Sequence, residues 1–286
     1  MADQSIQVTA PAKVNLNLQI TGRRKDGYHT LDSAVVFADI EDKISLEPAS
    51  ELQFECLNCR DKAVPDGEEN IVVQATREFC RIYNFCPDLK IILEKTLPAA
   101  AGLGGGSSDA AAVIRGLYSF FDMTPVTDKH KILLLSLGAD LPACYERRSL
   151  RMRGVGEDIS YQSFGLEGCG IVLVNPRKPC STKDVFENLN LESTSKTPPK
   201  NIDLAYIRQT GNDLFSVAVQ IVPEIKDILN VISRSRNLKL HGMTGSGASC
   251  FAIYETPNEA RIIGQKLRLL YREWWVKYGK ILDGEN

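Results

Sequence analysis

Apolar and polar residues alternate from Val14 to Ile20, with Val14, Leu16, Leu18 and Ile20 on one side and Asn15, Asn17 and Gln19 on the other. A period of two predicts a half-buried strand, and its polar face then carries Lys13, Asn15 and Asn17. Residues 22–27 read as a charged turn, and residues 33–46 as one or two further strands. The period then lengthens. Ile71, Val72, Ala75, Phe79 and Ile82 form the apolar stripe of a helix that opens at Asn70, an N-cap residue type. Residues 90–93 are a short apolar strand, 96–106 a loop, and 108–121 a helix with Ala110, Ala111, Ala112, Ile114 and Leu117 inward. A further helix over 127–137 ends at Gly138, a residue favoured just past a helix end.

The second half repeats the alternation of strand and helix. Residues 170–175 predict a buried strand, and Ser181 caps a short helix with Asp184 three residues on. Residues 190–201 are polar and Pro-containing, a surface loop. Residues 214–232 are helical with a break at Pro223. Residues 238–254 read as two strands around a glycine-rich turn, 257–272 as a helix, and the last strand holds Trp274 and Trp275. Strands and helices thus alternate along the chain, with a boundary near 153–160, hence domains at 1–156 and 157–286; the α+β class itself is what the family resemblance below implies.

Composition narrows the function. The 286 residues are 43% hydrophobic and 24% charged, an ordinary globular balance. Net charge is −2, so no basic field draws the chain to nucleic acid. The polar N-terminus has no apolar signal segment and no stretch is long enough to span a bilayer, so a cytoplasmic location away from membranes is expected. Cys56 and Cys59 form a CxxC with no second pair to complete a zinc site, and the three histidines lack ligand spacing. Eight reduced thiols are therefore expected.

The strongest local signal is Gly102-Leu103-Gly104-Gly105-Gly106-Ser107-Ser108, between a strand and a helix. Glycines let backbone N–H groups wrap an anion, and a helix N-terminus adds aligned donors. The spacing excludes two common phosphate loops. No Lys follows the last Gly as in a Walker A loop, and position 107 is Ser where a dinucleotide fingerprint needs Gly.

The segment from Pro98 through this loop to Asp109 resembles the second motif of the GHMP kinases. Pro11-Ala-Lys-Val-Asn-Leu-Asn-Leu18 resembles their first. Leu137-Gly-Ala-Asp-Leu-Pro-Ala143 and Met243-Thr-Gly-Ser-Gly-Ala-Ser249 resemble later blocks, in family order. The block Gly22-Arg-Arg-Lys-Asp-Gly-Tyr-His-Thr-Leu31 is similar to the branch that acts on a cytidine-diphosphate-linked methylerythritol in non-mevalonate isoprenoid synthesis. Two departures stand out. Ala100 occupies a position where Gly is usual, which matters if that residue takes a positive φ. Residues 144–153, Cys-Tyr-Glu-Arg-Arg-Ser-Leu-Arg-Met-Arg, replace a segment of small residues, so no base contacts are carried over from it.

The resemblance implies a two-domain fold: an N-terminal ATP-binding domain of ribosomal-protein-like α/β topology, a ferredoxin-like α+β C-terminal domain, and an active site in the cleft between them. It implies ATP with Mg²⁺, a small-molecule acceptor, and a monomer or homodimer. Asp140 alone reads as an N-cap before Leu-Pro; by resemblance it is the catalytic base. Lys13 alone reads as a solvated lysine; by resemblance it is the charge partner. Pro98, Gly102, Leu103, Gly104, Gly105, Gly106, Ser107 and Ser108 would hold the phosphates, with Asn70 and Lys95 near the adenosine. Asn15, Tyr28, His29, Thr182, Phe186, Gly245, Ser246 and Gly247 would meet the acceptor substrate. In that arrangement Tyr28 stacks on the pyrimidine with Phe186 as the opposite face of the sandwich, and His29 bonds its edge. No protein ligand for the metal is singled out beyond Ser108 and Asp140. A kinase with a homoserine- or mevalonate-type acceptor, or a silent nucleotide binder, are the alternatives. The Asp26-Gly-Tyr-His29 block disfavours the first, since those acceptors offer no base to stack. Retention of both Lys13 and Asp140 disfavours the second.

Overall fold

The computed structural model describes residues 5–59, 64–189 and 197–284. In chain order the elements are β1 (Ile6–Asn15), β2 (Gln19–Arg23), β3 (His29–Pro48), β4 (Gln53–Leu57), α1 (Ile71–Tyr83), β5 (Leu89–Glu94), α2 (Gly105–Phe120), α3 (Thr127–Leu137) and α4 (Leu141–Glu146). There follow β6 (Leu150–Gly154), β7 (Asp158–Tyr161), β8 (Gly170–Asn175), α5 (Thr182–Glu187), α6 (Leu204–Thr210), α7 (Phe215–Ile221), α8 (Glu224–Ile232), β9 (Leu238–Met243), β10 (Cys250–Tyr254), α9 (Pro257–Leu270) and β11 (Trp275–Lys280). No described helix is long and apolar enough to cross a membrane.

The chain forms two units that do not follow a single cut near residue 156. One comprises Met1–Pro11, Glu41–Ala99 and Gly105–Glu146; the other comprises Ala12–Ile40, Ala100–Gly104 and Arg147–Asn286. The reason is length: β3 is one strand of 20 residues and belongs to both units in turn.

In the first unit, β5 pairs antiparallel with the end of β3, Ile44 opposite Leu93, and parallel with β4. Helices α1 and α2 cover this sheet, burying Val72, Ala75, Phe79, Ala110, Val113, Ile114 and Leu117 with Ile44, Leu46, Ile91 and Leu93. Burial of such side chains contributes about 1.5–3 kcal/mol each. Helix α1 starts as predicted, the Asn70 side chain accepting from the Val72 N–H at 2.9 Å. Helix α2 starts three residues before the predicted 108, because the positive-φ backbone ends at Gly104 (φ +63°). Cys56 and Cys59 are joined as a disulfide where β4 ends, correcting the expectation of eight reduced thiols; Cys80, Cys86, Cys144, Cys169, Cys180 and Cys250 are free.

In the second unit, the start of β3 pairs with β2 and with β6, and β6 with β7. A separate antiparallel sheet runs β11-β8-β10-β9. Its apolar face packs Val172, Val174, Cys250 and Ala252 with Ala218, Ile225, Ile228 and Leu267 of the helices. Ser181 caps α5, accepting from the Asp184 N–H at 3.2 Å, and Pro223 separates α7 from α8. Trp274 lies before β11 rather than in it, its ring stacked on Tyr271 with centroids 4.0 Å apart. Of the expected loop 190–201, residues 190–196 lie outside the described residues.

The alternating stretch 13–20 differs most from expectation. It is not one half-buried strand. β1 ends at Asn15, β2 begins at Gln19, and both faces are buried: Lys13 is 5%, Asn15 2% and Asn17 0% exposed. The polar side is satisfied by protein instead of water. Asn17 Oδ1 accepts from the Ala34 N–H at 2.8 Å, and Gln19 Oε1 accepts from the Tyr206 hydroxyl at 2.5 Å. The pattern of residue types was strand-like, but a satisfied polar face carries no mark of whether water or protein satisfies it.

Candidate active site

The glycine loop divides its work. Gly102 has φ +72°, and a Cβ there would collide with the backbone carbonyl of Thr244 and lie 2.8 Å from that of Gly247. Gly245 is its counterpart: a Cβ would come within 2.6 Å of the Gly102 carbonyl oxygen. Two turns of the second unit therefore approach backbone to backbone, which only Gly permits. Thr244 fastens them. Its Oγ1 accepts from the Asn15 N–H at 2.9 Å and donates to the Gly102 carbonyl at 3.2 Å. Gly104 serves Lys13 instead, since a Cβ would stand 3.1 Å from the lysine stem. The Lys13 N–H donates to the Leu103 carbonyl at 2.9 Å, while the Leu103 side chain is core.

In the first unit, Gly105, Gly106, Ser107 and Ser108 form the opening turn of α2, whose N–H groups have no helical acceptors of their own. Ser108 is fully buried and its Oγ has no hydrogen-bond partner. An orphaned hydroxyl beside free helix N–H groups fits an anion such as a nucleotide phosphate. Pro98 precedes this turn and is half-buried.

Lys95 and Asn70, expected near the adenosine, both bond to protein groups. The Lys95 ammonium lies 2.5 Å from Asp42 and 2.7 Å from Asp109, with all three side chains buried. Asp42 also accepts from the N–H groups of Thr96 and Leu97. Asp109 has no second donor for Oδ1, and burial raises its pKa to about 8. Asn70 spends its oxygen on the helix cap and its amide N–H on the Pro65 carbonyl at 2.8 Å. Asp140 is half-buried immediately before α4, and its carbonyl accepts from the Cys144 N–H at 3.0 Å.

A cavity of about 530 Å³ in the second unit is lined by Tyr28, His29, Thr182 and Phe186, with Arg23 and Lys183 at its edge. Within the cavity wall two of these rings meet each other. The His29 ring faces Phe186, centroids 5.3 Å apart and 26° between planes, whereas Tyr28 is 66% exposed. Burial and then Arg23 lower the His29 pKa below the ordinary 6.5, so the imidazole is neutral at neutral pH and offers one donor and one acceptor. The Thr182 hydroxyl is 2.8 Å from that of Ser246, bringing the floor of the cavity to the second glycine turn. Cys180 Sγ donates to the Ser246 carbonyl, and Asn212 donates to the carbonyls of Met243 and Gly245, at 3.1 and 2.8 Å. Gly247 (φ +88°) completes the turn.

The reading of residue types alone missed Asn212, Ser33, Asp42 and the pair Asp32–Arg151. In the atypical segment 144–153, Arg151 is 3% exposed and forks onto Asp32, NH2 to Oδ2 at 2.7 Å and Nε to both oxygens at 3.0 Å. It also donates to the Lys200 carbonyl at 2.7 Å. That arginine is structural: a buried guanidinium with a bidentate partner. Its partner lies 119 residues away in sequence, so no local signal announces it.

The arrangement fits ATP by its orphaned Ser108 hydroxyl and open helix turn. No group of three His, Cys, Asp or Glu that could hold a metal ion occurs among the described residues.

Known proteins with this architecture agree. The model of the GHMP kinases N terminal domain matches residues 70–147, and that of the GHMP kinases C terminal domain matches 201–273. A 4-diphosphocytidyl-2-C-methyl-D-erythritol kinase of Roseobacter denitrificans is 38% identical over 96% of this chain and 93% of its own. The protein of that name from Bradyrhizobium diazoefficiens is 37% identical over 94% and 96%. A crystal structure of 4-(cytidine 5'-diphospho)-2C-methyl-D-erythritol kinase superimposes with TM-score 0.80 at 30% identity, covering 98% of this chain and 100% of that one.

Proposed function

The chain belongs to the family of 4-diphosphocytidyl-2-C-methyl-D-erythritol kinases, within the GHMP kinases, and on that premise we propose how its residues carry the reaction. It is an ATP-dependent kinase that phosphorylates the 2-hydroxyl of 4-diphosphocytidyl-2-C-methyl-D-erythritol, a step of non-mevalonate isoprenoid precursor synthesis. The observation that best supports the acceptor is the cavity walled by His29 and Phe186, whose flat rings and neutral imidazole suit a pyrimidine.

The roles follow from the chemistry. The opening turn of α2, with Ser108, holds the ATP phosphates. Mg²⁺ bound with the nucleotide would offset charge on the phosphate oxygens. His29, Phe186 and Tyr28 hold the cytosine, and Thr182, Ser246 and Asn15 the polyol. Asp140 takes the proton of the acceptor hydroxyl as its oxygen bonds to the γ-phosphorus and the bond to the β–γ bridging oxygen breaks, releasing ADP. Lys13 supplies positive charge toward that transfer. The enzyme works in the cytoplasm as a monomer or homodimer.

The test incubates purified protein with Mg-ATP and 4-diphosphocytidyl-2-C-methyl-D-erythritol, following ADP and product mass. Acceptor-dependent ADP and a product heavier by one phosphoryl group are expected. Asp140→Asn is expected to lower kcat by about 10²–10⁴-fold. Full activity in that variant returns Asp140 to helix capping. No turnover by wild-type protein that binds ATP removes this acceptor.

A further inference from the structure

Asn15 carries a chemical ambiguity that its surroundings resolve. The two ends of an asparagine amide have nearly the same shape but opposite hydrogen-bonding character. Which end faces the ligand decides whether the site accepts or donates.

Ser33, fully buried on β3, settles the matter. Its Oγ lies 2.5 Å from the Asn17 carbonyl oxygen and 3.4 Å from that of Ala34. Carbonyl oxygens only accept, so the single hydroxyl hydrogen is committed to Asn17. The same Oγ is 2.8 Å from the side-chain amide of Asn15. With its hydrogen spent, Ser33 offers Asn15 only lone pairs. The amide must therefore turn its Nδ2 to Ser33; the flipped amide would set oxygen against oxygen. Oδ1 is left facing the other way, buried in a residue 2% exposed and without a partner. Asn17, which takes the serine hydrogen, is itself held: its Oδ1 accepts from the Ala34 N–H and its Nδ2 donates to Thr210 at 3.0 Å. The Asn15 backbone is tied to Thr244.

We propose that Ser33 is a positioning residue that fixes the Asn15 amide with its oxygen toward the substrate, so that the site selects a polyol presenting a hydroxyl hydrogen there. This rests on the kinase reading above. A buried acceptor without a partner rejects a ligand that lacks the donor, because the mismatch leaves it unpaired.

The experiment measures kinetics of wild type, Ser33→Ala and Ser33→Thr with Mg-ATP and the diphosphocytidyl acceptor, beside acceptors with single erythritol hydroxyls replaced by hydrogen. Ser33→Ala frees the amide to flip. Its kcat/KM for the acceptor is expected to fall about 10- to 100-fold while KM for ATP stays within about twofold. The penalty for at least one deoxy acceptor is expected to shrink about tenfold, and Ser33→Thr, which keeps the hydroxyl, to restore it. Unchanged discrimination in a folded Ser33→Ala enzyme overturns the proposal. A second reading needs neither that variant nor turnover: in wild-type protein the Asn15 side-chain amide protons should show slow solvent exchange by NMR. Fast exchange of both overturns the assigned orientation. Wild-type protein that fails to phosphorylate the acceptor but shows protected amide protons would sink the kinase reading and leave the orientation standing.

Discussion

Two buried polar clusters, one in each unit, were both within reach of the sequence motifs, and they differ in kind. Around Lys95 the cluster is ionic: two carboxylates, Asp42 and Asp109, share one ammonium. Around Asn15 it is neutral: amide, hydroxyl and carbonyl groups linked through Ser33 and Thr244. Each leaves an oxygen over. Burial raises the Asp109 carboxyl's pKa, and the Lys95 ammonium opposes that shift. Asn15 does not titrate. The ionic cluster pairs opposite charges within the protein, whereas the neutral one leaves the Asn15 amide oxygen without a protein partner.

Lys95→Met is the strongest way to break this contrast. It leaves two buried carboxylates without their cation, and a loss of about 3–5 kcal/mol of stability is expected in urea unfolding. Adding Asp109→Asn removes one of those charges and should return part of the loss. Unchanged stability with a raised KM for ATP would instead make Lys95 a nucleotide ligand, as the family resemblance implies.

The contrast also shows what the sequence made legible. Elements with local signatures were readable: the Asn70 cap, the Ser181 cap, the break at Pro223 and the glycine loop leading into α2. The residues that gather at the cavity, Tyr28, His29, Thr182 and Phe186, were reached only through the family resemblance. What stayed hidden depends on partners far along the chain. Ser33 is an unremarked serine until Asn15 and Asn17 are brought to it, and Arg151 is an oddity until Asp32 meets it. The alternation over 13–20 gave the right residue types and the wrong solvent, because Tyr206, Thr210 and Ser33 replace water on the polar side.

A second test separates the neutral site from the ionic one by pH. The His29 pKa lies below 6.5, so the neutral imidazole predominates at pH 7 and is lost as pH falls through the lowered pKa. The acceptor KM should be flat above pH 7. Below the lowered pKa, protonation removes the ring's acceptor nitrogen, and KM should rise by about tenfold per pH unit. His29→Gln keeps an acceptor that does not titrate and should abolish this rise. A rise that persists in His29→Gln would assign the pH dependence to another group.

The smallest expected effect concerns the residue that departs from the family's glycine. Ala100 holds φ +48° on an exposed segment, a left-handed backbone that costs a residue with a Cβ about 1–2 kcal/mol. The alanine bears the strain of that left-handed backbone. Ala100→Gly relieves that strain, loses no buried contact, and adds freedom to the unfolded chain, which offsets part of the gain. A net stabilisation of about 0.5–1 kcal/mol is expected, read as a higher urea midpoint at unchanged slope, with KM for ATP unaltered. A lower midpoint would mean that Ala100 lies outside the left-handed region in solution, and the loop would then differ in shape where the phosphate turn begins.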